Sequence, residues 1–118
     1  MTNKKSIATN SLSLHLRLRI AAGEKIALGP GKVELLALLE ETGSISEAAR
    51  RMKMSYMKAW SLIQTMKPLV ASTRGGRAGG GAKLTVGGHK ALALYRQMEQ
   101  DSLRACQGSW KKLQRLFP

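Results

Sequence analysis

Two helix starts written in serine, Ser44 and Ser55, stand close together in this chain, and their spacing constrains the fold more than any other feature of the sequence. Ser44-Ile45-Ser46-Glu47 matches a capping box, in which the Ser44 hydroxyl accepts from the third backbone N–H while Glu47 reaches back to the first. The helix that starts here runs to about Met52, burying Ile45, Ala48, Ala49 and Met52 and turning Arg50 and Arg51 outward. Ser55 then caps a further helix, Tyr56 to Lys67, whose inner face is Ala59, Trp60, Ile63 and Met66 and whose continuation Pro68 limits. Ala49 falls where the two helices approach most closely, and only a small side chain lets their backbones pack. Lys53 occupies a turn position that often takes left-handed backbone, normally glycine, at a cost to lysine of roughly 1 kcal/mol. Two short helices joined by a tight turn constitute a helix-turn-helix.

The flanking segments complete a small domain around this pair. Met1 to Ser11 is polar and aperiodic and reads as a mobile basic tail. Leu12 to Ile20 alternates leucine or isoleucine with Ser13, His15, Arg17 and Arg19, the period of a half-buried strand, and Lys25 to Leu28 can return as the second strand of a hairpin. Gly29-Pro30-Gly31 breaks that pattern. Lys32 to Thr42 then has helical apolar spacing, with Gly43 at the position of a left-handed cap. Beyond Pro68, Leu69 to Thr73 and Ala82 to Thr85 can pair around the basic glycine loop Arg74 to Gly81, and Thr85 can cap a last helix. In that helix Leu103, Cys106, Trp110, Leu113 and Phe117 recur at spacings of three and four, a seam that seeks another helix. The register slips between Met98 and Leu103 and Gly108 weakens the middle, so the expectation is a kinked helix or two helices forming a dimer contact. The fold class expected is mainly α with small β: a winged helix-turn-helix over residues 12–98, with an N-terminal hairpin, a β wing and a C-terminal helical extension over 99–118.

Charge selects the partner. Between Arg50 and Lys90 there are nine basic side chains and no Asp or Glu, and the whole chain carries a formal net charge of +13. Such a surface is built to meet a polyanion. A single cysteine, Cys106, rules out an intramolecular disulfide, and no stretch reaches the length of a membrane span, so a cytoplasmic, nucleoid-associated protein without membrane contact is expected. His15, His89 and Cys106 have no metal-ligand spacing, and no nucleophile and base can be nominated, so neither metal, cofactor nor enzymatic activity is expected. The wing glycines lack the Lys-Ser/Thr pair of a nucleotide-gripping loop, since Gly81 is followed by Ala82-Lys83-Leu84.

Several motifs together resemble a known family. Gly29-Pro30-Gly31, Glu34-Leu35-Leu36, Thr42 to Ser46, Ala48-Ala49, Met54-Ser55-Tyr56, Ala59-Trp60 and Gly79 to Thr85 follow the order and spacing of the DNA-binding domain of the ModE molybdate-responsive regulators, which carries a LysR-like winged helix. The resemblance covers about Leu12 to Met98. It implies a homodimer on a palindromic site, with the third helix in the major groove and the wing along the backbone or minor groove. With Pro118 as the last residue there is no room for the family's small β-barrel molybdate domains, which makes a stand-alone DNA-binding relative the expectation.

The expected DNA contacts are therefore Ser55, Tyr56, Met57, Lys58 and Ser61 at the start of the third helix and Arg74, Arg77 and Lys83 in the wing. Lys58 is expected to carry most energy, Tyr56 can equally pack beside the core, and Trp60 is assigned to the core. The function expected is that of a sequence-specific, homodimeric transcriptional regulator of double-stranded DNA whose small-molecule effector is open. The first rival is a non-specific architectural nucleic-acid-binding protein. The second is a sensor of an oxyanion, molybdate or tungstate, near His15, Arg17 or Arg19.

Overall fold

The computed structural model describes residues 11–73 and 81–117, and they form a mainly helical structure with two small antiparallel sheets. In chain order the elements are β1 (Ile20–Ala22), β2 (Lys25–Leu28), α1 (Pro30–Thr42), α2 (Ile45–Arg51), α3 (Tyr56–Gln64), β3 (Val70–Thr73), β4 (Gly81–Leu84) and α4 (Val86–Gln114). Compact contacts divide the described residues into one unit within 17–96 and another made of residues 11–16 with 97–117.

The N-terminal hairpin is shorter than its alternation suggests. Pairing begins only at Ile20, opposite Leu28, and ends at Ala22 opposite Lys25, with Gly23 at φ 65 in the turn. The reason is the partner: β2 has four residues between that turn and the break at Gly29-Pro30, so a longer first strand would have nothing to pair with. Residues 12–19 keep their period as burial alone, Leu12, Leu14, Leu16 and Leu18 half-buried and Ser13, His15, Arg17 and Arg19 exposed.

Helix α1 starts with Pro30 in its first turn, where a missing N–H costs nothing, and stops at Gly43, whose N–H still donates to the Leu39 carbonyl at 2.8 Å and whose φ of 65 turns the chain out of the helix. Val33, Leu35, Leu36 and Leu39 line its buried stripe. Ser44 then begins α2, its hydroxyl accepting from the Glu47 N–H at 3.0 Å. Only this half of the expected capping box forms, because the Glu47 carboxylate is taken by two arginines instead.

Lys53 turns the chain with φ 56, the left-handed conformation expected of it, and is the one described non-glycine residue with positive φ. Ser55 caps α3, accepting from the Lys58 N–H at 3.1 Å. This helix closes at Gln64 rather than Lys67, and the chain continues through turns to β3. Strands β3 and β4 pair from Val70 opposite Leu84 to Thr73 opposite Gly81. The start of β4 is also tied to the α1–α2 junction, since the Ala82 N–H donates to the Gly43 carbonyl at 3.3 Å.

These elements share one core, built from Leu35, Leu36 and Leu39 of α1, Ile45, Ala48 and Ala49 of α2, Ala59 and Ile63 of α3, then Met66, Val70, Leu84, Leu92 and Tyr95. Full burial of each larger side chain contributes about 1.5 to 3 kcal/mol. At Gly88 the start of α4 lies directly on the chain before β3: an added Cβ would stand 2.0 Å from the Leu69 carbonyl oxygen, so only glycine fits. Thr85 caps that start, accepting from the Gly88 N–H at 3.0 Å and donating to the Pro68 carbonyl at 2.9 Å. Helix α4 then runs as one element from Val86 through Gly108 to Gln114, which corrects the expected division into two helices. One interior glycine costs about 1 kcal/mol, too little to break a helix of 29 residues.

Candidate nucleic-acid interface

The start of α3 is set by what precedes it. The left-handed Lys53 reverses the chain, the Ser55 side chain satisfies one free N–H, and Ala59 and Ile63 anchor the helix in the core. At about 100° per residue, the opposite side of the helix carries Met57 and Ser61, with Tyr56 and Trp60 on one shoulder and Lys58 on the other. All five are exposed. Met57 is 64% exposed, Trp60 41% and Tyr56 36%.

Trp60 therefore corrects the assignment made from sequence, which placed it in the core. Its position, one residue past Ala59 and three before Ile63, leaves it on the shoulder of the apolar stripe, and Ile63 and Met66 fill the interior without it. Its spacing of four from Tyr56 puts both rings on one side of the helix and does not say which way that side faces.

The other expected contacts fall in several places. Ser55 is exposed but has its oxygen engaged as the helix cap. Lys83 is exposed on β4 opposite Ala71. Arg74 and Arg77 lie outside the described residues, as do the glycines between them.

The cations of α2 behave differently from those around α3. Glu47 accepts from Arg50 Nε at 3.0 Å and from Arg51 Nε at 2.9 Å, and Arg51 also bridges to Glu41 of α1. The hydrogen bonds from Arg50, then those from Arg51, hold the Glu47 carboxyl down from 4.5 to about 2, while Glu47 raises both guanidinium pKa values. Lys53 and Lys58 form no ion pair among the described residues. Part of the basic stretch is thus already neutralised, while its exposed lysines Lys53, Lys58, Lys67, Lys83 and Lys90 are in no ion pair among the described residues.

A second cationic place lies between the hairpin, the start of α1 and the α2–α3 turn. Arg17, Arg19 and Lys32 line a concavity of about 220 Å³ together with Gly29, Met52 and Met54. Lys32 Nζ donates there to the Ile26 carbonyl at 2.7 Å. In the other unit, Leu14, Cys106, Ser109, Trp110 and Leu113 line an apolar concavity of about 300 Å³. Of the expected helix seam, Leu103, Cys106 and Trp110 are half-buried, Leu113 and Phe117 are exposed, and Phe117 lies beyond the end of α4. Among the described residues there is no group of three or more His, Cys, Asp or Glu side chains able to hold a metal ion. No described helix is long and apolar enough to cross a membrane.

Comparison with known proteins adds chemistry that the geometry does not contain. No protein-family model matches the chain. Over 77 residues it is 46% identical to the molybdenum-pterin-binding protein MopB of Rhodobacter capsulatus, covering 61% of this chain and 28% of that protein. Over 78 residues it is 42% identical to the molybdenum transport protein ModE of Azotobacter vinelandii, covering 62% and 29%. Over 99 residues it is 31% identical to the DNA-binding transcriptional dual regulator ModE of Escherichia coli, covering 80% and 38%. The aligned part thus spans between 28% and 38% of these relatives' lengths.

The names correct the function expected from sequence. A sequence-specific homodimeric regulator was placed first and molybdenum last, yet relatives at 46% and 42% identity are named for binding molybdenum pterin and for molybdenum transport. Molybdenum moves to the centre of the account, and the regulator with its own operator is not carried forward. The family resemblance to ModE stands, with Mop proteins joined to it, and the named relatives are binding, transport and regulatory proteins.

Proposed function

We propose that this chain, similar to ModE and Mop proteins along most of its length, works in a molybdenum-responsive system as the part that meets an extended polyanion, duplex DNA. The observation that carries this reading is the start of α3: a capped, exposed helix end flanked by Lys53 and Lys58, neither tied to an acid among the described residues. Unneutralised lysines at an exposed helix end displace counterions from phosphate. In this reading α2 and α3 are a helix-turn-helix, the β3–β4 hairpin is its wing, and Ser55, Tyr56, Met57, Lys58, Ser61 and Lys83 are the contacts. The apolar residues Leu103, Cys106, Trp110 and Leu113 supply a contact to a second copy, which sedimentation at micromolar concentration tests by giving a dimer or a monomer. Fluorescence anisotropy of a labelled duplex tests the main reading. Saturable binding that weakens steeply with salt supports it, and no binding at low salt rejects it.

A second reading has one observation in its favour. Arg17, Arg19 and Lys32 are among the residues that line one concavity, beside apolar ones, and their charge would attract a molybdenum oxyanion held by this chain itself. Calorimetry with molybdate and tungstate tests it: heat that disappears in Arg17→Ala and Arg19→Ala supports the reading, and no heat with the unaltered chain removes it.

A further inference from the structure

The hollow between the hairpin, the start of α1 and the α2–α3 turn joins cationic and apolar walls, and a bare inorganic anion has use only for the first. The apolar side is Ile26 of β2, Met52 and Met54 on either side of Lys53, and Leu62 of α3. Each keeps part of its surface in water, Ile26 at 40% exposure and the others half-buried. Arg17, Arg19 and Lys32 stand at the same hollow, and none of them is in an ion pair among the described residues. A Cβ built at buried Gly29 would stand 3.3 Å from Ile26 Cγ2 and 3.6 Å from Arg19 Cγ, so glycine there lets the arginine stem and the isoleucine close over the backbone. The Lys32 ammonium uses one N–H on the Ile26 carbonyl at 2.7 Å, which fixes its position and leaves its other donors for a ligand.

We propose that this hollow binds a small planar aromatic acid, its ring against Met52, Met54 and Leu62 and its carboxylate among Arg17, Arg19 and Lys32. The inference takes the concavity and its cations from the second reading above and replaces the inorganic ligand by an organic one. A tetrahedral oxyanion is hydrated on every side and loses water against thioethers and leucine with nothing gained, whereas an apolar ring is stabilised there by burial. Methionine suits such a ring, because its polarizable sulfur makes favourable contacts at the ring edge and its unbranched chain adapts to the ring's outline. A guanidinium presents a planar fork that meets a carboxylate with two parallel hydrogen bonds. An apolar cavity of about 150 Å³ takes up benzene. The concavity here, about 220 Å³, has room for a larger ring system bearing an acid group.

Calorimetry on the full chain tests the inference with naphthoate as the probe, naphthamide as the same ring without charge, and sulfate as an anion without a ring. Naphthoate should bind saturably at one site per chain, and naphthamide about tenfold more weakly, since it lacks the charge that strengthens the hydrogen bonds. Sulfate at equal concentration should not displace naphthoate. Arg19→Gln and Ile26→Ala, both at exposed positions, should each lower naphthoate affinity about three- to tenfold while melting like the parent chain. Arg19→Gln should leave naphthamide binding unchanged, and Ile26→Ala should weaken it as well. Absence of saturable naphthoate binding, equal affinity for naphthoate and naphthamide, displacement by sulfate, or full naphthoate affinity in both variants overturns the inference. Heat with molybdate but no binding of naphthoate overturns it and leaves the second reading standing, and naphthoate binding without molybdate heat does the reverse.

Discussion

The end of α2 and the start of α3 are separated by one turn, and both are basic, but they hold their charge in opposite ways. Arg50 and Arg51 are fastened to Glu47, and Arg51 also to Glu41. Lys53 and Lys58 are exposed and tied to no acid among the described residues. A count of basic residues treats the four alike. Their difference teaches that available charge, rather than total charge, locates a polyanion surface, because a guanidinium already hydrogen-bonded to a carboxylate must break those bonds before it gains a phosphate.

The sharpest way to break this contrast is to remove one cation from each side. Lys58→Ala should weaken duplex binding about tenfold and lower the salt slope by about one, since it deletes a free charge at the helix start. An unchanged affinity in anisotropy titrations would place the contact elsewhere. Releasing the paired charges should act in the other direction. Glu47→Gln frees Arg50 and leaves Arg51 to Glu41 alone, and is expected to raise affinity at low salt about threefold and to steepen the salt dependence by about one. A loss of affinity would show that Glu47 orients the arginines for binding instead of withholding them.

Acid titration examines the same pairing without DNA. The Glu47 carboxyl lies lowered from 4.5 to about 2, so its contribution to stability is complete above about pH 4.5 and is lost as the pH falls toward 2. Thermal melts of the unaltered chain should therefore fall more steeply through that window than those of Glu47→Gln. Parallel curves would mean that the pairing contributes nothing in solution. The smallest effect is expected from Arg50→Ala, whose charge is already compensated: duplex affinity should stay within about twofold of the parent, measured in the same titrations.

How far the sequence revealed this arrangement follows from which signals are local. Caps are local, so Ser44, Ser55, Thr85 and Gly43 could be read directly, and each holds the backbone group its chemistry suits. The left-handed turn at Lys53 was equally legible, because the spacing between two capped helices left no other place for it. Trp60 was not, since an apolar residue on the shoulder of a stripe reads the same whether it turns inward or outward, and only the filling of the interior by Ile63 and Met66 decides. Strand length at Leu12 to Ile20 depended on a partner's length, a tertiary property. Continuity of α4 through Gly108 depended on a balance over the whole helix, in which one glycine is a small term. The pairing of Arg50 and Arg51 with Glu47 follows the helical spacings of three and four, whereas the bridge from Arg51 to Glu41 joins α1 and α2 and no spacing rule encodes it. The molybdenum connection was legible in the motifs shared with the ModE regulators, and the names of the relatives moved it from last place to the centre.

One experiment tests the central claim, that the exposed start of α3 is the surface for duplex DNA, most directly: affinity for a labelled duplex across a range of salt, for the unaltered chain and for Lys58→Ala in parallel. The account predicts two straight lines of log affinity against log salt, with Lys58→Ala lower and shallower by about one unit of slope. Coincident lines, or no binding by the unaltered chain at low salt, would contradict it.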